Sequence, residues 1–161
     1  LGMRSYIGIG SNLGDPVGQV RWAIAALAGI PLTRVEQVSS LYRNPPMGPA
    51  DQPDYVNAVA ELETELDARA LLAELHHLEA EAGRLRDGQR WGPRLLDLDI
   101  LLHGREQIEE ADLTIPHVGL PRRAFVLYPL AEITPSLDIP GLGPLRDLLA
   151  GVDGSDLIRL G

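Results

Sequence analysis

Hydrophobic residues recur along the chain with two periods, and each change of period marks an element boundary. Arg4 to Gly10 (RSYIGIG) is a short apolar strand that runs out into Ser11-Asn12-Leu13-Gly14. Asp15 followed by Pro16 predicts a helix start, with Asp as the cap and Pro at the first helical position. Val17, Val20, Ile24, Leu27 and Ile30 continue that helix at helical spacing. Thr33 to Tyr42 is predicted as a second strand, marked by Val35 and Val38. Arg43 to Pro53 holds four prolines and one glycine in eleven residues, so it is a loop. Strand alternation resumes over Tyr55 to Leu66. Asp67 then caps an amphipathic helix over Ala68 to Arg84, with Leu71, Leu72, Leu75, Leu78 and Ala82 on its apolar face. Glu79 and Glu81 fall to that helix's surface, and His76 and His77 to its surface or to the edge of the core.

Beyond an arginine-rich stretch comes an apolar strand, Leu95 to Leu102, closed by His103-Gly104. Arg105 to Ile108 is read as a short strand or turn leading to Leu113-Thr114-Ile115-Pro116-His117. Pro121 is expected to open a helix through Ala131, interrupted near Pro129. Pro144 to Leu149 is a last short helix before a polar tail. The order β-α-β-loop-β-α-β predicts a single α+β domain over residues 1–161, ferredoxin-like in plan. Its sheet is expected to be mainly antiparallel, with helices on one face and long loops. Leu1 and Gly2 precede a Met3 that reads as the native start.

Composition narrows the chemistry. The chain has 161 residues and no cysteine, which removes disulfides, thiolate nucleophiles and cysteine zinc sites. A reducing cytoplasm is the expected compartment, and no apolar run is long enough to span a bilayer. All 14 basic residues are arginine. Without lysine there is no P-loop lysine and no Schiff base, so a bound phosphate must be held by arginine, backbone N–H groups or metal. The net charge of −9 disfavours a nucleic-acid binder. Against that acidic background, residues 84–94 carry four arginines and one aspartate. Such a compact positive stretch suits a small polyanion.

The chemistry gathers between Gly83 and Leu102, GRLRDGQRWGPRLLDLDILL. Arg84, Arg86, Arg90 and Arg94 are punctuated by Gly88, Gly92 and Pro93. Asp97 and Asp99 then alternate with Leu96, Leu98 and Ile100, so a strand would bring both carboxylates to one face, roughly 7 Å apart. Carboxylates so placed can hold Mg²⁺ ions whose remaining ligands are phosphate oxygens, while arginines reach those oxygens bidentately. The combination suits phosphoryl or pyrophosphoryl transfer. Trp91 inside the arginine stretch, Tyr55 beside the proline-rich loop and Phe125 after Arg122-Arg123 could stack on a flat heteroaromatic ligand. Asn57, two beyond Tyr55, could meet a heterocycle's polar edge. Two other readings fit the same residues. A nucleotide sensor would bind ATP without turnover, and a metal-dependent nucleotidyltransferase or glycosyltransferase would also use an Asp-x-Asp pair.

The chain resembles the 6-hydroxymethyl-7,8-dihydropterin pyrophosphokinases of folate biosynthesis over nearly its whole length. The matching pieces are YIGIGSNLGD (Tyr6 to Asp15), DQPDYVNAV (Asp51 to Val59), RWGPRLLDLDIL (Arg90 to Leu101), IPH (Ile115 to His117) and Arg123-Ala124-Phe125. The resemblance implies a monomeric ferredoxin-like fold with mobile loops around the site. It also implies transfer of pyrophosphate from ATP to the pterin hydroxymethyl group, releasing AMP, with two Mg²⁺ ions on Asp97 and Asp99. Carried over residue by residue, Arg84, Arg94 and Arg123 with His117 would meet the ATP phosphates or the transferring group. Arg86, Trp91, Ile100 and Thr114 would complete the nucleotide's surroundings. Tyr55 and Phe125 would sandwich the pterin, Asn57 would bond its edge, Trp91 would close over it, and Asn44, Pro45 and Met47 would line its pocket. The chain departs from the family pattern at Asn44, where threonine is common, at Asp87, where a basic residue is common, and at Val118, where an aromatic is frequent. No general base stands out.

Overall fold

The computed structural model describes residues 2–45, 53–87 and 96–161, the side chains of 84–87 excepted. Its first half is built on β1 (Met3–Ser11), α1 (Pro16–Leu27), β2 (Thr33–Val38), β3 (Tyr42–Asn44), β4 (Tyr55–Thr64) and α2 (Ala68–Asp87). Then follow β5 (Asp97–His103), the β6–β7 hairpin (Ile108–Glu110 and Leu113–Ile115), a 3₁₀ turn (Leu120–Arg122) and α3 (Ala124–Ile133). The chain ends with β8 (Asp138–Ile139), β9 (Gly143–Pro144), α4 (Leu145–Ala150) and β10 (Ile158–Arg159). One six-stranded sheet runs β10-β3-β4-β1-β5, with β2 beside β3 on the same side of β4, and every pairing in it is antiparallel.

Alternation along the central strands sends apolar side chains to both faces, and both are covered. Ile7 and Ile9 of β1, Val56, Ala58, Ala60 and Leu62 of β4, and Leu98 and Ile100 of β5 meet α1 and α2. Tyr6, Val59, Leu101 and Leu102 on the opposite face meet α3 and α4. The expectation of helices on one face is therefore corrected. A face carrying two leucines and a valine has to be buried, and the chain's last third supplies the cover.

Several local readings also change. The expected strand over Thr33–Tyr42 is two strands, β2 and β3, parted at Ser39. There the Ser39 N–H donates to the Val59 carbonyl and the Ser39 hydroxyl accepts the Val59 N–H, both at 2.9 Å. A side chain thus carries the ladder across the break. α2 runs to Asp87, beyond the expected end at Arg84. α3 starts at Ala124, Pro121 belongs to the 3₁₀ turn, and Pro129 sits inside α3 without ending it. A proline there removes the bond to the Phe125 carbonyl and costs about 3 kcal/mol in an isolated helix. Burial of Val126, Leu127, Pro129 and Leu130 against the sheet outweighs it. The tail adds β10, which pairs Ile158 with Arg43 and Arg159 with Tyr42. The loop readings at Gly48–Gln52 and the glycines Gly88 and Gly92 lie outside the described residues.

Candidate functional site

β5 pairs with β1 so that Asp97 stands opposite Gly10 and Asp99 opposite Gly8. Both carboxylates are half-buried and share the face that carries α3 further along. Two glycines opposite them leave a floor without side chains, and above it opens a cavity of about 370 Å³. Asn44, Tyr55 and Asn57 line one side, Asp97 and Asp99 another, and Arg123, Phe125 and Val126 at the start of α3 the third. Beyond Ile100 the pairing skips one residue, so Leu101 has no partner of its own and Leu102 faces Tyr6. This bulge turns both leucines to the α3 side and closes the cavity floor with Leu101.

The two asparagines are oriented by one another. Asn44 Nδ2 donates to the Pro45 carbonyl at 3.1 Å, and Asn57 Nδ2 donates to Asn44 Oδ1 at 2.5 Å. A carbonyl can only accept, so the Pro45 bond decides which way Asn44 turns and, through it, which way Asn57 turns. Asn57 Oδ1 is left on the Gly10 side, where a Cβ at Gly10 would lie 2.7 Å from it. The cavity therefore has an amide oxygen aimed by a backbone carbonyl two links away, suited to a ligand that donates an N–H.

At the other end, the His117 ring is fixed in the same manner. Its Nδ1 accepts the Gly119 N–H at 3.0 Å, so that nitrogen carries no proton, and a neutral ring holds its hydrogen on Nε2. Nε2 lies 3.8 Å from Asp99 Oδ1. Burial lowers the His117 pKa, Asp99 pulls it the other way, and Arg123 adds to the lowering. The Arg123 guanidinium lies 5.6 Å from the Phe125 ring centroid, in cation–π range. It also passes Gly119 so closely that a Cβ there would fall 2.5 Å from its guanidinium, so a side chain at 119 would make Arg123 shift. Arginine, histidine and aspartate thus converge beside the aromatic wall.

Of the remaining residues singled out from the sequence, Ile100 is 3 % exposed and points into the core under α1 and α2, away from the cavity. It can offer a ligand only its main chain. Thr114 sits half-buried on β7, and Pro45 is exposed next to Asn44; neither lines the cavity. Met47, Arg90, Trp91 and Arg94 lie outside the described residues, as do the side chains of Arg84, Arg86 and Asp87. Glu79 is not ordinary helix surface: its Oε2 accepts the Leu98 N–H at 2.8 Å, between the two aspartates. Gly8 and Gly10 also line the cavity, beyond the residues singled out from the sequence. Their signal was there, since two glycines on one face of an apolar strand mark a close approach.

Asp97 and Asp99 fit a hard divalent cation. They are oxygen ligands on one face, half-exposed, with side-chain-free space opposite. Among the described residues no group of three or more His, Asp or Glu side chains could hold a metal. Two carboxylates and the oxygens of a phosphate or water make the kind of shell that Mg²⁺ accepts.

Comparison with known proteins matches residues 6–135 to the 7,8-dihydro-6-hydroxymethylpterin-pyrophosphokinase (HPPK) family. A protein of Pseudomonas aeruginosa named 2-amino-4-hydroxy-6-hydroxymethyldihydropteridine pyrophosphokinase is 47% identical over 157 residues, 98% of this chain and 96% of its own. A Haemophilus influenzae protein of the same name is 46% identical, covering 97% of each. In fold, the chain is similar to Plasmodium falciparum HPPK-DHPS solved with pteroate, with a TM-score of 0.74 at 14% identity. That likeness covers 94% of this chain and 42% of the Plasmodium one.

Proposed function

The chain belongs to the 7,8-dihydro-6-hydroxymethylpterin-pyrophosphokinase family, and on that basis we propose how its cavity carries the reaction. The protein transfers pyrophosphate from ATP to the hydroxymethyl group of 6-hydroxymethyl-7,8-dihydropterin, releasing AMP, in folate biosynthesis. The observation that carries the assignment of roles is the cavity itself, whose walls bring together two aspartates, an arginine, two aromatic rings and an oriented amide.

In this reading the pterin ring stacks between Tyr55 and Phe125, and Asn57 Oδ1 accepts an N–H from its polar edge. Met47 borders that pocket and Trp91 covers it, while Pro45 acts through the carbonyl that orients Asn44. The hydroxymethyl group then points toward Asp97 and Asp99. The substrate hydroxyl oxygen bonds to the β-phosphorus of ATP as the bond from that phosphorus to the AMP oxygen breaks, and the hydroxyl proton is released to solvent. Asp97 and Asp99 hold two Mg²⁺ ions, which neutralise the phosphates when bound. Arg123 and the Nε2–H of His117 donate to phosphate oxygens, with Arg84, Arg86 and Arg94 closing on the same anion. The main chain of Ile100, with Thr114, borders the nucleotide. Excluding water protects the activated phosphate from hydrolysis.

We further read the chain as one catalytic domain acting as a monomer in the cytoplasm on small molecules alone. The sheet supports the ferredoxin-like plan: with β2 and β3 counted as one interrupted strand, its order is the antiparallel arrangement of a βαββαβ unit. Among the described residues no helix is long and apolar enough to cross a membrane.

The test is to incubate the protein with ATP, Mg²⁺ and 6-hydroxymethyl-7,8-dihydropterin and to identify the products. AMP with the pterin diphosphate is expected. Pyrophosphate release would mean nucleotidyl transfer, and ATP binding without turnover would mean a sensor.

A further inference from the structure

Among the described residues β5 is the outermost strand on its side of the sheet, and no described strand pairs with its outer edge. An unpaired edge is the least constrained part of a sheet. This one carries the two carboxylates on which the proposed function depends. Asp97 and Asp99 lie opposite Gly10 and Gly8, and the Leu98 N–H between them points away from β1. It is taken by Glu79 Oε2 at 2.8 Å, from α2. Further along the same strand, at the bulge, the Leu101 carbonyl accepts the His117 N–H at 3.0 Å. The edge is thus clamped twice. One clamp comes from the helix that leads into the arginine stretch, the other from the segment that brings His117 and Arg123 to the cavity. The Leu98 side chain, buried among the leucines of the α1–α2 side, prevents the strand from turning about its axis. Glu79 prevents it from peeling outward.

We propose that Glu79 is a positioning residue for Asp97 and Asp99. By accepting the one backbone N–H between them, it fixes their spacing from α2. Its Oε2 is bonded to a peptide N–H of β5, and through that bond its contribution to metal binding runs along the strand. A glutamine would serve as acceptor almost as well, because the amide oxygen can take the same N–H. An alanine leaves the Leu98 amide without a partner and the strand free to move. The proposal rests on the reading of Asp97 and Asp99 as the metal pair, and the experiment separates the two.

The full chain is prepared as wild type, Glu79→Ala, Glu79→Gln and Glu79→Asp. Amide exchange at Leu98 is measured by NMR, with Ile7 and Ile9 on β1 as internal references. Mn²⁺ binding is titrated by electron paramagnetic resonance in the presence of α,β-methylene ATP, and pterin binding by calorimetry. In Glu79→Ala, Leu98 exchange is expected to rise and Mn²⁺ affinity to fall, each about tenfold, the scale of one lost charge-assisted hydrogen bond. Ile7, Ile9 and pterin affinity should hold. Glu79→Gln should stay within about threefold of wild type on both readouts, since it keeps the bond. Should Glu79→Ala not fold, Glu79→Asp, one methylene too short to reach, makes the same comparison against Glu79→Gln. The proposal is overturned if Leu98 exchange does not change, if metal affinity holds while exchange rises, or if Glu79→Gln fails as badly as the shortened variants. An Asp97→Asn/Asp99→Asn double variant with undiminished Mn²⁺ binding would instead remove the metal reading. Leu98 exchange in the Glu79 variants tells that failure apart from failure of the clamp.

Discussion

Asn57 donates from Nδ2 to Oδ1 of Asn44 at 2.5 Å, and Asn44 in turn donates to the carbonyl of Pro45. Each bond has a fixed polarity, so the pair cannot flip without setting the Asn44 Oδ1 acceptor against the Pro45 carbonyl oxygen. Asn44 thereby controls which atom Asn57 shows to a ligand. Asn44→Ala should weaken pterin binding by about tenfold, the worth of losing one buried partner, and leave ATP binding unchanged. Asn44→Asp keeps the acceptor for Asn57 and should recover part of the loss. Calorimetry with each substrate separately checks this, and equal losses for both would mean that Asn44 only supports the fold.

Gly10 leaves Asn57 Oδ1 in place because it has no Cβ to fill that space. Alanine suits a strand backbone, so Gly10→Ala should fold with little change in melting temperature. It should nevertheless displace the Asn57 amide and reduce pterin affinity by at least about tenfold. A variant with normal affinity would show that Asn57 is free to move aside.

Asp97→Asn and Asp99→Asn should each cut turnover by about a hundredfold or more, the scale of losing a main electrostatic stabiliser. Circular dichroism should show the fold intact, because neither carboxylate lies in the core clusters. Near-normal turnover of either variant at saturating Mg²⁺ would refute the two-carboxylate assignment.

His117 is built to donate from Nε2, since its Nδ1 already accepts the Gly119 N–H. Glutamine can present an N–H at a similar reach, whereas alanine cannot. His117→Ala should therefore lose about tenfold more kcat than His117→Gln. If the two are equally impaired, His117 moves a proton instead of donating a hydrogen bond.

His103 is fully buried, and no hydrogen bond of normal geometry reaches either ring nitrogen. Burial lowers its pKa from the ordinary 6.5, while Glu106, the nearby Leu66 carbonyl and Asp67 pull it upward to a smaller extent. The folded protein thus takes up this proton less readily than the unfolded chain. Its contribution to stability is complete above pH 6.5 and shrinks as pH falls below it, by up to about 1.4 kcal/mol per unit until the folded pKa is reached. His117, whose pKa is also lowered, adds a decline of the same sign. Melting temperatures between pH 7 and 5, a window about the ordinary histidine pKa, should fall less steeply for His103→Leu than for the wild type. An unchanged slope would mean that the folded and unfolded chains protonate His103 alike.

Much of this site can be read without coordinates. Asp97 and Asp99 share a face because strand side chains alternate, and that holds wherever the strand lies. Tyr55 and Asn57 share a face for the same reason. The absence of lysine, and the four arginines of residues 84–94, restrict phosphate binding before any fold is known. α1 could be placed from Asp15 and Pro16, and the Asp15 side chain does accept the Gly18 N–H at 3.1 Å. These features depend on neighbours in the chain, and local sterics decide them.

What depends on distant pairing was decided by tertiary structure. Only the register of β5 on β1 sets Gly8 and Gly10 opposite the aspartates, and only the pairing of β3 with β4 brings Asn44 to Asn57. Glu79 looks like solvent-facing helix because helical periodicity says which way a side chain leaves its own helix. It does not say that the edge of β5 lies there with an unpaired N–H. The break at Ser39 and the tail strand β10 are short, and each is held by partners far along the chain. Pro129 reads as a helix breaker because propensity counts its missing N–H, whereas the cover that α3 gives to Tyr6, Val59, Leu101 and Leu102 is visible only once the sheet exists. A sequence states what each residue can do with its neighbours, while burial and edge pairing are set by where the rest of the chain comes to lie.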